Sequence, residues 1–356
     1  MTARGIDQIL PCPSEPWLCE PYMHDAREYI KLAERANGPI ARPVDFGYVW
    51  GDALEQWAKH APDVRIVNLE TSITTSNDAC PKGINYRMHP NNVPCLLAAN
   101  IDCCALANNH VIDWGLVGLA DTLASLHDAR IATAGAGRNR DEAESPAILE
   151  LPGRCRVLIF SYGSVTSGVP LDWEAGAESP GIAVLENLGQ DTIERVKTRI
   201  LAAKRPGDIV IVSIHWGDNW GYDISRREMT FAHALVDEAG VDVIHGHSSH
   251  HPKPIEVHSG RPIFYGCGDF LNDYEGIHGH EEYRSDLTLM YFVRIEVPTG
   301  KLIAMTMVPL CMRRFRLERA TRSDARWLAE ASSREGSRFG TRVVLGKEDT
   351  LVLEWR

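Results

Sequence analysis

The sequence predicts an α/β fold with mixed sheets, and three observations predict it. Short apolar runs alternate with helical-period stretches from about residue 60 to 245, the pattern of stacked βα units. After Gly260 the texture changes to paired strands around a Thr299-Gly300 hairpin signal, which adds antiparallel sheet. Polar residues of metal-binding type gather just after four of the apolar runs, at the edge where open α/β sheets place their sites.

Residues 1–60 are rich in Pro and Trp and read as a loop-rich lead-in, with helices expected near 25–36 and 52–58. The apolar runs at 64–69, 101–106, 157–160, 209–214 and 241–244 read as buried strands. Between them Leu116, Leu119, Leu123 and Leu126 recur at helical spacing, as do Ile193, Val196 and Ile200 behind an Asp191 to Glu194 capping-box pattern. Ser225 and Glu228 repeat that start signal ahead of Phe231, Ala232, Leu235 and Val236. These stripes are core rather than a cofactor surface. Strands are expected at 263–265, 287–297 and 301–308, then a polar helix at 323–333 and a last strand at 351–354.

With 356 residues, 44% hydrophobic and 24% charged, the chain has the composition of an ordinary folded protein with a sizeable core. A formal net charge of −11 without any Lys/Arg run argues against nucleic acid or an anionic membrane surface as partner. The nine cysteines are scattered without a C-x-x-C pair, which argues against a disulfide framework or a zinc ribbon and fits a reducing compartment. No stretch reaches the roughly 18 apolar residues of a membrane span, and residues 1–7 lack a signal-peptide-like run, so a cytoplasmic location is expected. The expected partner is a small-molecule or polymer substrate; nothing in the sequence sets an oligomeric state.

The four polar groups are Asn68 with Glu70; Asn108, Asn109 and His110, followed by Asp113; His215; and His245, His247, His250 and His251. Four of the fourteen histidines thus fall within residues 245–251, and imidazole nitrogens with carboxylate and amide oxygens suit Zn, Mn or Fe. Two divalent ions side by side require a bridging carboxylate, for which Glu70 is the candidate. Asn109 offers an amide oxygen, and His110 is placed to assist a leaving group as general acid or charge stabiliser.

The motifs Asn68-Leu69-Glu70-Thr71, Leu106-Ala107-Asn108-Asn109-His110, Gly135-Ala136-Gly137, His215-Trp216-Gly217, Gly246-His247-Ser248-Ser249-His250 and Tyr265-Gly266-Cys267-Gly268-Asp269-Phe270 occur in this order. In them the chain resembles the CapA-type (poly-γ-glutamate or capsule synthesis) family, a branch of the calcineurin-like metallophosphoesterases. The resemblance runs over 1–312 as one domain, with 313–356 as an appendage packing on its core. It implies a four-layer α/β/β/α sandwich and two divalent ions held by Glu70, Asn109, His215, His247 and His250, with His110 facing the scissile group. The implied activity is hydrolysis of a phosphoester or a γ-glutamyl-type amide through a bridging hydroxide; the alternative is a noncatalytic assembly or binding factor in polymer synthesis.

Two departures from the family pattern stand out. Asp269 replaces the usual Asn of a Gly-Asn-Phe turn, and Ser248 and Ser249 occupy the middle of the histidine motif. Residues 1–5 align just after a Gly-Asp that ends the family's first strand, so either that strand and one metal carboxylate are expected upstream of a start recorded at an internal Met, the favoured reading, or the chain is a truncated copy with an impaired site. Trp216, Trp220 and Tyr222 are candidate cleft walls, and Asn68, Arg87, His89 and Trp216 candidate substrate contacts. The plainer readings are that Asn68 caps a turn, that Asp113 and Gly115 start the Leu116 helix, and that Gly135 to Gly137 is a turn rather than a nucleotide cradle.

Overall fold

Side-chain alternation along strands that are buried on both faces sets the layering. In the strand Cys155–Ser164, Leu158 and Phe160 point to one side and pack with Ile193, Val196, Phe231 and Leu235. Val157 and Ile159 point to the other and pack with Cys103 and Ala134. The neighbouring strand Ile209–His215 repeats the division, with Val210, Val212 and Ile214 on the helix side and Ile209 on the other. The structure, a computed structural model, describes residues 1–297 and 299–356.

The result is an α/β fold with mixed sheets. Strands Ile66–Asn68, Cys103–Ala105 and Ala132–Ala134 form a parallel three-stranded sheet with the second in the middle. A seven-stranded sheet runs Val184–Leu185, Cys155–Ser164, Ile209–His215, Val243–His247, Arg261–Phe264, Ile255–His258. Its last pair is antiparallel, and Ala147–Leu151 joins antiparallel to Cys155–Ser164. Helices Gln190–Ala203 and Arg226–Ala239 cover one face through their Ile, Val, Phe and Leu stripes, as periodicity predicts.

A five-stranded antiparallel sheet follows, built on the pair Leu287–Glu296 and Lys301–Arg313. Thr299 and Gly300 lie in its turn. Residues 313–356 are woven into it: Leu351–Trp355 pairs with Lys301–Arg313 and with Thr341–Leu345, while Leu328 of the helix Arg322–Gly336 packs among Met305, Met307 and Leu353.

Two local expectations change. The segment ahead of residue 60 is not a loop-rich lead-in at its start, because Ala3, Ile6, Ile9 and Leu10 are buried and the short helix Gly5–Ile9 packs on Arg27–Asn37. Arg4 is buried with it, bonded to Glu20 at 2.8 Å and to Asp273 at 2.5 Å. The Ser225/Glu228 capping box forms, whereas the Asp191/Glu194 one does not. Helix Gln190–Ala203 begins one residue ahead of Asp191, with Gly189 at the cap, and Asn187 Oδ1 receives the Gly189 N–H at 2.8 Å. Asp191 therefore lies inside the first turn, where its charge faces the helix dipole but its oxygen caps nothing.

Candidate functional site

Strand register brings the site together. In the parallel ladder His215 is paired with His247 and Ser213 with His245, so the side chains of each pair share a face. His215 Nδ1 and His247 Nδ1 meet at 2.8 Å, and the Ser213 hydroxyl holds His247 Nε2 at 2.9 Å and His245 Nδ1 at 3.0 Å. Gly246 between them cannot carry a side chain: a Cβ there would stand 2.3 Å from the Phe264 carbonyl and 2.6 Å from Trp216 Nε1. Burial pushes His215 down to about 4 and His247 well below its ordinary value, so both rings are neutral at pH 7.

The three-stranded sheet supplies the acidic side. Glu70 follows Ile66–Asn68, and its Oε1 lies 3.9 Å from both His215 Nε2 and His110 Nε2. Burial alone would raise the Glu70 carboxyl, but His215, His110 and His250 outweigh it and hold the group below the usual range. Asn68 Nδ2 donates to Glu70 Oε2 at 3.2 Å while its Oδ1 accepts from Asn108 Nδ2 at 3.0 Å. Asn68 thus steadies the carboxylate through an amide pair with the buried Asn108.

His110 follows Cys103–Ala105. Its Nδ1 is 2.6 Å from Asp113 Oδ2, the other Asp113 oxygen accepts from Lys82 Nζ at 2.8 Å, and Tyr86 stacks on the ring at 4.0 Å. With Nδ1 committed to Asp113, Nε2 is the nitrogen turned toward Glu70. Asp113 orients His110 rather than starting the next helix, whose first residue is Gly115 and whose cap makes no side-chain bond. On the far side His250 Nδ1 is 3.1 Å from Asp269 Oδ2; burial pulls His250 down, but this carboxylate outweighs it and raises the ring's pKa. Asp269 is in turn held low despite its burial, chiefly by His250, and Asn272 Nδ2 bonds it at 3.0 Å.

A family model described as "Bacterial capsule synthesis protein PGA_cap" matches residues 1–274. This chain belongs to that family. A relative named "Probable polyglutamine synthesis accessory protein" from Mycobacterium tuberculosis (strain CDC 1551 / Oshkosh) is 48% identical over 353 residues, covering 99% of this chain and 93% of the relative. The "PGA biosynthesis protein CapA" of Bacillus subtilis (strain 168) is 29% identical over 227 residues, 62% of this chain and 57% of that protein. The "Capsule biosynthesis protein CapA" of Bacillus anthracis is 28% identical over 193 residues, 54% and 45% of the two chains. The family match ends near the Asp269 turn, short of the expected residue 312, whereas the mycobacterial relative continues through the antiparallel sheet.

The donor set of this PGA_cap family member suits divalent metal. Asn109 Oδ1 is buried without a hydrogen-bond partner among the described residues, the state in which an amide oxygen can ligate. Two neutral imidazoles converge beside a charged carboxylate, and the hydroxyl of Ser213 orients the outer nitrogen of His247, as outer partners of metal-binding histidines do.

Three expected contacts are used elsewhere. Trp216 is 1% exposed and belongs to the helix-side core, with its Nε1 on the Tyr265 carbonyl at 3.0 Å, because it follows His215 and strand alternation turns it to the opposite face. The Arg87 guanidinium bonds the Ser76 and Glu15 carbonyls and lies 3.9 Å over Trp114. His89 receives the Asn91 N–H at 3.1 Å and caps the turn Pro90–Asn92. Trp220 does stand by the site, 5.3 Å from the His250 ring and stacked on His280 at 3.8 Å, while Tyr222 packs edge-on against His251. Gly135 to Gly137 is a turn entering a short strand pair with Gly181–Ile182. Lys82, Tyr86 and His280 had no motif to announce them. No helix among the described residues is long and apolar enough to cross a membrane.

Proposed function

We propose that this PGA_cap family member is a metal-dependent hydrolase of CapA type on a four-layer α/β/β/α sandwich, acting on a phosphoester or a γ-glutamyl-type amide. The division of apolar residues between helix-side and sheet-side clusters supports the layering. The observation that carries the chemistry is the unpartnered buried Asn109 Oδ1, next in sequence to a His110 already oriented by Asp113.

Glu70, Asn109, His215, His247 and His250 would hold two divalent ions of the Mn, Zn or Fe type, which supply Lewis acidity and activate water at neutral pH. Asn68 and Asn108 keep the Glu70 carboxylate in place. Asp113 fixes the His110 ring, so that a proton on Nε2 faces the reacting group and can pass to the leaving atom. Lys82 balances the Asp113 charge, and Asp269 orients His250. Trp220 and His280 form an aromatic rim against which a substrate can rest. The words polyglutamine and PGA in the relatives' names favour the amide over the ester.

The test is metal content together with hydrolysis of an aryl phosphate and a γ-glutamyl anilide, on the parent and on Glu70→Gln. Two ions and turnover in the parent, both reduced in the variant, are expected. A full metal complement with neither substrate cleaved would replace this reading with a noncatalytic factor in polymer synthesis, which the word accessory in the mycobacterial relative's name favours.

A further inference from the structure

A second cluster of metal-type side chains lies away from the site described above. His233 and Asp237 are one helical turn apart on Arg226–Ala239, and Glu256 and His258 are two apart on the strand Ile255–His258, so each pair shares a face of its element. One ligand atom from each of His233, Glu256 and His258 lies within 4.8 Å of the other two.

Strand register sets the two clusters on opposite faces of the seven-stranded sheet. Glu256 is paired with Ile263, and Ile263 with Ile244; both isoleucines belong to the helix-side core. His247, three residues beyond Ile244, therefore points the other way, toward Glu70 and His215. The cluster belongs to the helix–strand seam alone.

The carboxylates there are already oriented. Tyr265 OH donates to Glu256 Oε2 at 2.6 Å, leaving Oε1 2.9 Å from His233 Nε2. Ser259 Oγ donates to Asp237 Oδ1 at 3.0 Å, leaving Oδ2 2.7 Å from His258 Nε2. Ser259 adopts φ +51° in the turn after the strand, a conformation unusual for serine that brings its hydroxyl to Asp237. The two imidazoles stack at 3.8 Å with 7° between their planes. Hydroxyls on the outer carboxylate oxygens with inner oxygens turned to imidazoles are the outer-partner pattern of a metal site.

We propose that His233, Glu256 and His258 bind one divalent transition-metal ion, with Asp237 as a second carboxylate beside His258, and that this ion clamps the helix Arg226–Ala239 to the edge strand of the sheet. Two imidazoles and the Glu256 carboxylate form a mixed N/O set, a donor chemistry that suits zinc or cobalt rather than calcium or magnesium.

The experiment titrates the metal-stripped full chain with cobalt(II) and zinc(II), reading cobalt absorption, bound equivalents by elemental analysis, and Tm. Parent, Glu70→Gln, His233→Gln/His258→Gln and Glu256→Gln chains are compared, with circular dichroism confirming the fold of each. The cluster variants are expected to bind one equivalent fewer than the parent and to lose a zinc-dependent rise in Tm that Glu70→Gln retains. Equal stoichiometry in parent and folded cluster variants, or a rise in Tm lost only in Glu70→Gln, would overturn the clamp. A chain in which the double variant is unfolded is read from Glu256→Gln, which keeps the side-chain volume and both histidines.

Discussion

Two buried polar assemblies lie side by side near residues 269–273 and differ in how completely they are satisfied. Around Arg4 each guanidinium nitrogen has a partner: Nη1 reaches Glu20 and Tyr29, while Nη2 and Nε reach Asp273. Asp273 also takes the Gly5 N–H at 2.9 Å, and Tyr29 donates to Glu20. Around the Glu70 and His110 strand ends the count falls short at Asn109 Oδ1, next to His110 in sequence, which is buried without a partner among the described residues. A saturated ion network fastens chain to chain, here the first residues to the Asp269–Asp273 turn. A deficient one carries a cost of about 1–3 kcal/mol per unmet group, which a bound ligand offsets.

The largest expected effect is on the saturated side. Arg4→Ala strands two buried carboxylates, and chemical denaturation should register a loss of about 3–5 kcal/mol. A loss below about 1 kcal/mol would mean that the network fastens nothing. On the deficient side His110→Ala should lower turnover by roughly 10²–10⁴-fold with metal content unchanged; loss of metal instead would remove His110 from its assigned place.

Acid should separate the assemblies next. His215 and His245 are pushed down to about 4 by burial, so between about 6.5 and 4 the unfolded chain binds protons that the folded chain refuses. The metal-free protein should therefore lose stability as pH falls through that window, by up to about 3 kcal/mol per histidine. Denaturation midpoints at pH 7, 5.5 and 4.5 check the slope, and a flat profile would show these rings to be solvated.

Asn109→Ala removes that unmet oxygen and should raise metal-free stability by about 1 kcal/mol while weakening metal binding about tenfold or more. The smallest contrast is local. Ser225→Ala should cost about 1 kcal/mol because its hydroxyl caps Glu228 N, whereas Asp191→Ala should change stability by less than about 0.5 kcal/mol. Equal costs would mean that both capping patterns act alike.

Much of the candidate site was legible as a cluster because its residues sit at strand ends. Glu70, His110, His215 and His247 each follow or end an apolar run, and parallel strands bring those ends to one edge. Alternation would also have found Trp216, since the residue after an inward His215 must face outward to the helices. Arg87 and His89 were misplaced for a different reason. Arg87 is satisfied by Trp114 and Glu15 through a fold-back that no local pattern encodes, whereas His89 caps its own turn through the Asn91 N–H two residues on.

The sequence by itself determined the α/β alternation, the family, the strand-end polar groups and the Ser225 cap, because each depends on periodicity or on residues within one turn. Tertiary structure alone decided the Arg4 to Asp273 pairing, the Lys82 to Asp113 contact behind His110, and the meeting of His233 with Glu256 and His258. These join residues far apart in the chain or on different elements, and only packing of one element against another fixes their separation, orientation and burial.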